Sequence, residues 1–348
     1  MIRKSTINLN NSNKNKIENI NLIFIEAKIV INKFIDEIWE QEDFSSKFIS
    51  FKVNTWLSSR MQQNLGKQAL EIVKSQRKRK RKSKPVFDKN TIELDYRFID
   101  IQFNSSKDFD IFIKFKSIGN KIIFKCPSKK HKHINKYFSD NWLLKKSAKL
   151  RKDIFGNYLL DLYFEKQELP KRSEGKDLGI DLGYKKLLVD NEGNIYGREL
   201  EQQYCKISRK VQGSKKFKKS LVERNNKINE VINNIDLSKT KNLFIEDLKE
   251  VKKSSKGRIC KKFMNKLQRW NYPLVINKLL RLCEEQGINL VKVSPIYTSQ
   301  QCSNCKTICK SHRQGEVYKC KVCGLLIDAD INASINILHR GIYSFSIA

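Results

Sequence analysis

The chain holds 348 residues, with 70 Lys and Arg against 37 Asp and Glu, for a formal net charge of +33. A field of that size favours a polyanion and predicts salt-sensitive, largely sequence-independent affinity for nucleic acid. Nine cysteines spread through so long a chain exclude a small disulfide scaffold and point to a reducing compartment. The most apolar early stretch, 20–35, is interrupted by Glu26, Lys28 and Lys33, which excludes a membrane span. Residues 1–16 lack the apolar core of a signal peptide. The expected setting is cytoplasmic and nucleoid-associated.

In chain order, residues 2–9 read as a short strand and 10–15 as a turn-rich break. Ile17, Ile20, Phe24, Ala27 and Ile31 give 16–39 a helical period. A second helix is predicted over 54–81 from the stripe Leu57, Met61, Leu65, Ala69 and Val73. It ends in Arg77, Lys78, Arg79, Lys80, Arg81 and Lys82, either a solvated helix end or a set of phosphate contacts; the overall charge favours the second. From Pro85 the period changes to two. Ile92, Leu94, Tyr96 and Phe98 alternate, then Ile99, Ile101 and Phe103 continue on the opposite parity, which predicts a bulge or bend. Residues 109–115 alternate again, and Gly119-Asn120 and Gly156-Asn157 read as hairpin turns. His131 and His133 read as solvated members of a basic loop.

These strands predict a small antiparallel β-barrel over 1–166, with a helical insertion at about 14–82 after its first strand. Residues 167–177, with Pro170, Ser173 and Gly175 among charges, read as a linker. Beyond it, 178–189 is a strand, a glycine turn and a second strand, and Gly193-Asn194 closes another hairpin. Residues 198–236 are helical and basic, and 242–245 form a buried strand. Residues 258–285 are helical with a break at Tyr272-Pro273 and a stop at Gly287. Residues 288–293 form a further strand. The predicted class is α+β multidomain, its second part a mixed sheet flanked by helices.

Three acids stand in unusual places. Asp181 lies in an apolar strand just before a turn glycine, Glu246 ends a second apolar strand, and Asp330 falls in the first turn of a helix. A carboxylate beside buried strand residues is costly unless it is paired or binds metal. Three brought together can hold two Mg²⁺ ions about 3.5–4 Å apart at a phosphodiester. Asp328 is the better helix cap and Asp330 the better ligand. Asn332 and Asn336, four apart on one face, either orient the carboxylates, touch nucleic acid or face solvent.

Cys302-x2-Cys305 and Cys320-x2-Cys323, 14 residues apart, have the spacing of a zinc ribbon. A closed set of four thiolates leaves no position for water, so Zn²⁺ there is structural. Cys309 lacks a partner at knuckle spacing, and Cys126, Cys205, Cys260 and Cys283 read as small buried residues.

In these residues the chain becomes recognisable. Gly179-Ile-Asp181-Leu-Gly183, Ile245-Glu246-Asp247-Leu248, Tyr297-Thr-Ser-Gln-Gln-Cys302-Ser-Asn-Cys305 and Asp328-Ala-Asp330-Ile-Asn332-Ala-Ser-Ile-Asn336-Ile resemble the TnpB family. These are transposon-encoded RNA-guided endonucleases, similar more distantly to compact type V CRISPR effectors. The motifs cover about 178–340 in the family's order. The resemblance implies an RNase H-like (RuvC) α/β nuclease domain over 178–348, with a zinc ribbon inserted at about 297–327. It makes Asp181, Glu246 and Asp330 the catalytic triad and the Mg²⁺ ligands, with Zn²⁺ on the four cysteines. It also implies an N-terminal wedge barrel with a helical recognition insertion, matching the reading of 1–166. Guide RNA and a double-stranded DNA target are the implied partners, with both strands cut beside a short adjacent motif. Lys306 stands where the family commonly has glycine. A catalytically silent RNA-guided repressor and a DNA-joining transposase are the alternatives; the presence of all three acids favours the nuclease.

Overall fold

The structure is a computed structural model and describes residues 1–41, 51–79, 83–103, 106–139, 141–248, 265 and 269–346. The chain divides into two compact units, Met1–Gln167 and Glu168–Ala348. No helix among the described residues is long and apolar enough to cross a membrane.

In the first unit, strand β1 (Ile2–Asn8) is followed by helices α1 (Lys14–Glu40) and α2 (Ser59–Arg77). Asn13 and Ser58 accept from the amides of Lys16 and Met61, so short polar side chains start both helices. The Ser58 cap places the start of α2 later than its periodicity suggested. Residues Ile20 to Ile38 along one face of α1 are buried with Met61, Leu65, Ala69 and Val73 of α2 in a single core.

The chain continues through β2 (Thr91–Asp95), β3 (Ile99–Phe103), β4 (Ile111–Phe115), β5 (Phe124–Ser128), α3 (Lys132–Ser139), β6 (Leu143–Lys152) and β7 (Tyr158–Glu165). The strands expected to form a barrel lie in two separate antiparallel sheets, β1-β7-β6-β2 and β3-β4-β5, whose buried residues join those of the helices in one core. The parity change at Phe98–Ile99 is the corner between them. Strand β2 pairs with β6, β3 pairs with β4, and Arg97 folds back on Asp95 with Nε 3.0 Å from Oδ1. His131 and His133 are exposed, as expected, and both also bond to β1, His133 from within α3. Nε2 of His131 lies 2.8 Å from Thr6 O, and Nδ1 of His133 lies 3.1 Å from Ser5 Oγ.

The second unit begins with β8 (Lys176–Leu182), β9 (Leu188–Asp190), β10 (Ile195–Tyr196), α4 (Leu200–Ser208), α5 (Lys215–Asn233) and β11 (Thr240–Glu246). It continues with α6 (Tyr272–Gln286), β12 (Asn289–Val293), β13 (Arg313–Gln314), β14 (Val317–Lys319), β15 (Leu326–Asp328) and α7 (Ala329–Ser346). The main sheet runs β10-β9-β8-β11-β12; β9 is antiparallel to β8 and β10, while β11 is parallel to both β8 and β12. Parallel neighbours are covered on both faces, hence the near-continuous apolar runs in β8 and β11. Strands β13, β14 and β15 form a separate small antiparallel sheet.

Three expectations change here. Of the expected linker 167–177, residues 168–177 belong to the second unit. Arg172 Nη1 donates to the carbonyls of Leu237, Ser238 and Thr240, and β8 already begins at Lys176. Pro273 opens α6 at its first turn, where its missing amide costs nothing, and Gly287 ends that helix in the left-handed region. Cys205 is exposed, whereas Cys126 and Cys283 are buried; Cys260 lies outside the described residues.

Helix α7 rests directly on the main sheet because two glycines permit it. A Cβ at Gly179 in β8 would overlap Ser334 O and stand 2.7 Å from Leu338 N, and one at Gly341 would overlap the Phe244 ring of β11. Gly179→Ala is therefore expected to cost about 1–3 kcal/mol, as overpacked core positions do. Chemical denaturation measures this; wild-type stability in that variant would mean the helix can step back freely.

Candidate active site and metal centre

Strands β8 and β11 pair through Ile180 and Ile245, so Asp181 and Glu246 follow side by side at the C-terminal ends of adjacent parallel strands. Side chains alternate along a strand. Asp181 thus shares a face with Gly179, and Glu246 with Phe244, and both of those residues lie against α7. Asp330 occupies the first turn of α7, one turn ahead of Ser334. The fold brings Glu246 and Asp330 near enough to Asp181 for both charges to act on it. Burial, then Glu246, then Asp330 push the Asp181 carboxyl up to about 8. Burial likewise raises Glu246, which is 8% exposed and accepts a hydrogen bond from the Thr298 hydroxyl.

Asp330 is matched by cations. Arg313 Nη2 stands 2.8 Å from its Oδ1, and Lys186 Nζ stands 3.2 Å from its Oδ2. Lys186 is 4% exposed and also reaches Asp328 at 2.6 Å. A buried lysine needs such partners to keep its charge. Asp328 itself accepts from the amides of Asp330 and Ile331 at 2.9 and 3.3 Å, which makes it the cap of α7. Neither Lys186 nor Arg313 stood out in the sequence. The signal for Lys186 was the tight Gly183–Leu187 turn, closed by Gly183 N to Leu187 O at 3.2 Å, which turns that lysine under α7. Arg313 had none.

The four predicted cysteines form a cluster whose sulfurs all lie within 4.8 Å of one another. Cys302 Sγ to Cys323 Sγ and Cys305 Sγ to Cys320 Sγ are both 3.6 Å. A tetrahedral Zn²⁺ with bonds of about 2.3 Å spaces its sulfurs by about 3.8 Å, so the donor set fits zinc. No other group of three or more Cys, His, Asp or Glu among the described residues is as tight. The three carboxylates spread more widely, with Asp330 drawn to its cations. Cys309 Sγ is turned to Ser311 Oγ at 3.2 Å, outside the cluster.

The two knuckles share one backbone pattern. Cys302 N donates to Thr307 O and Lys306 N to Cys302 O; Cys320 N donates to Leu325 O and Gly324 N to Cys320 O. The pattern requires a left-handed residue after each second cysteine, met by Lys306 at φ +61 and Gly324 at φ +76. Lys306 holds this conformation while its Nζ bonds Ser303 O and His339 Nδ1, both at 2.6 Å.

Asn332 and Asn336 neither face solvent nor orient the acids. They are buried, and they fasten the entry to the ribbon onto α7. Asn332 Nδ2 donates to Gln301 O at 2.8 Å and its Oδ1 accepts from Ser303 N at 2.9 Å, while Asn336 Nδ2 donates to Thr298 O and Gln301 O. Of the basic run, Arg77 caps α1, its Nη2 donating to the carbonyls of Ile38, Trp39 and Gln41. Lys78 and Arg79 are exposed, and Lys80, Arg81 and Lys82 lie outside the described residues.

Residues 273–337 match the family model for the Cas12f1-like TNB domain. A stretch of 72 residues is 43% identical to the CRISPR-associated endodeoxyribonuclease Cas12f1 of Sulfoacidibacillus thermotolerans, over 20% of this chain and 17% of that protein. A stretch of 59 residues is 41% identical to the protein of the same name from Syntrophomonas palmitatica, over 17% of this chain and 12% of the relative. The chain thus covers under a fifth of the length of these curated relatives. In structure, 93% of it superposes on 82% of a chain from the solved Cas12f1–sgRNA–target DNA complex, with a TM-score of 0.61 at 16% identity. The chain shares the fold of a compact type V effector. The resemblance read from its motifs, to TnpB and through it to these effectors, stands.

Two measurements check this geometry. Folding raises the Asp181 carboxyl from 3.8 to about 8, so its contribution to stability is expected to be present below about 4 and to be lost as pH rises to 8. In magnesium-free buffer, Asp181→Asn is expected to flatten that decline and melt higher at pH 8; an unchanged slope would mean the three charges do not meet. For the ribbon, elemental analysis should find one zinc per chain in the wild type and none in Cys320→Ser, with a lower melting temperature. Equal zinc in both would remove the assignment.

Proposed function

We propose that the chain is a guide-RNA-directed, Mg²⁺-dependent DNA endonuclease that cuts its target beside a short adjacent motif. The observation that supports this most is the convergence of Asp181, Glu246 and Asp330 on one face of the main sheet, under the first turn of α7. The net charge of +33 and the fold shared with a chain solved on sgRNA and target DNA add to it. In this reading the second unit is the RuvC-like nuclease with its zinc ribbon, and the first is the wedge with its helical recognition insertion.

The donors at the three acids are all oxygen, which suits a hard cation such as Mg²⁺. Two such ions there would activate the attacking water and neutralise the departing oxygen of a phosphodiester. The chain's own residues hold the arrangement. Thr298 orients Glu246, Asp328 fixes the first turn of α7, and Lys186 ties that turn to the β8–β9 hairpin. Arg313 and Lys186 balance the charge of Asp330. The ribbon's closed thiolate set makes its zinc structural. Base pairing with the guide selects the sequence, while the basic surface holds phosphates and helix shape.

Asp181→Ala is expected to keep guide-directed DNA binding and lose cleavage. The check is a cleavage assay with bound guide RNA, run beside a gel-shift assay on the same target. Cutting at the wild-type rate by that variant would remove the triad. Wild-type protein that binds its target in Mg²⁺ without cutting would favour the silent repressor.

A further inference from the structure

We infer that Ile296 and Tyr297 form a stacking platform for an unpaired nucleobase beside the three acids. This rests on the nuclease reading and adds a substrate contact to it. Residues 294–301 link β12 to the first zinc knuckle and are fastened from one side. Arg340 Nη1 donates to Ser294 O and Ile296 O, both at 2.6 Å, and Asn336 Nδ2 donates to Thr298 O at 3.0 Å and Gln301 O at 2.7 Å. Asn332 Nδ2 donates to Gln301 O at 2.8 Å. Asn332, Asn336 and Arg340 stand four apart, one stripe of α7. From the other side, the Thr298 hydroxyl bonds Glu246.

A segment held this firmly still turns two apolar side chains outward: Ile296 is 62% exposed and Tyr297 51%. Tyr297 also has φ +62, where a bulky residue is a genuine outlier. Among the described residues its ring and hydroxyl have no partner. Glycine makes the same turn without strain, so the backbone at 297 gives no reason for a tyrosine. An outlier of this kind next to a reactive centre points to use.

The neighbouring Thr298 touches Glu246, so the ring stands beside the place where the scissile phosphate is read to lie. A strand with its phosphate at the acids brings a flanking base to this loop. An unpaired base offers a π-face to any aromatic side chain, whatever its sequence, whereas a base inside a duplex is already stacked. The platform therefore takes single-stranded DNA.

The test crosses protein and substrate changes, using the full chain with its guide RNA under single-turnover conditions. Tyr297→Ala should slow cleavage about tenfold, within the range set by loss of one base–aromatic stack, and Tyr297→Phe should restore it. Abasic sites are then placed one at a time along the cleaved strand. One position should slow the wild type by a similar factor and leave Tyr297→Ala unaffected. Tyr297→Gly should melt higher than wild type yet cut as slowly as Tyr297→Ala. Wild-type cleavage by Tyr297→Ala, equal abasic penalties in both proteins, or a lower melting temperature for Tyr297→Gly would each overturn the platform. Wild-type protein with no cleavage at all would instead overturn the nuclease reading.

Discussion

The close approach of helix α7 to strands β8 and β11 is the constraint on which the rest depends. Gly179 and Gly341 remove the side chains that would hold the helix away, so its first turn comes down over the ends of two parallel strands. Residues separated by 65 and 84 positions in the chain then lie near enough for Asp181 to feel the charge of both other acids. The strain of that gathering is visible in Asp181, whose carboxyl is pushed up to about 8 by burial and by its two acidic neighbours. Such a cluster is unstable as bare charge and natural as a divalent-ion site.

The zinc ribbon serves the same geometry. Its last strand, β15, runs without a break into α7, so whatever fixes the ribbon fixes Asp330. The sulfur cluster sets one end of that connection. Asn332 and Asn336 set the other by binding the carbonyls that lead into the first knuckle. Arg313 reaches back from β13 to Asp330 itself. The cysteine cluster and the acid site are thus mechanically one assembly.

Much of this was legible in the sequence, because the strongest signals there are local. Apolar strands ending in acids, two knuckles at ribbon spacing and a capped helix each declare themselves within a dozen residues. The parity change at Phe98–Ile99 even marked the corner between sheets. What was not legible depends on contacts far along the chain. Lys186 looks like any turn lysine until α7 covers it, and Arg313 resembles the other basic residues of the ribbon. Arg77 belonged, by composition, to a phosphate-binding run, yet its guanidinium closes the end of α1. Asn332 and Asn336 showed a shared face but not what that face met. Periodicity tells which side of a helix is special, and only the fold tells what lies opposite.

The central claim is that Asp181, Glu246 and Asp330 form one divalent-ion site. Anomalous scattering from crystals of the full chain soaked in Mn²⁺ tests it most directly. Manganese is expected between these three carboxylates, with Arg313 or Lys186 shifted off Asp330 to admit it. Millimolar manganese that leaves this position vacant, with both ion pairs to Asp330 intact, would contradict it.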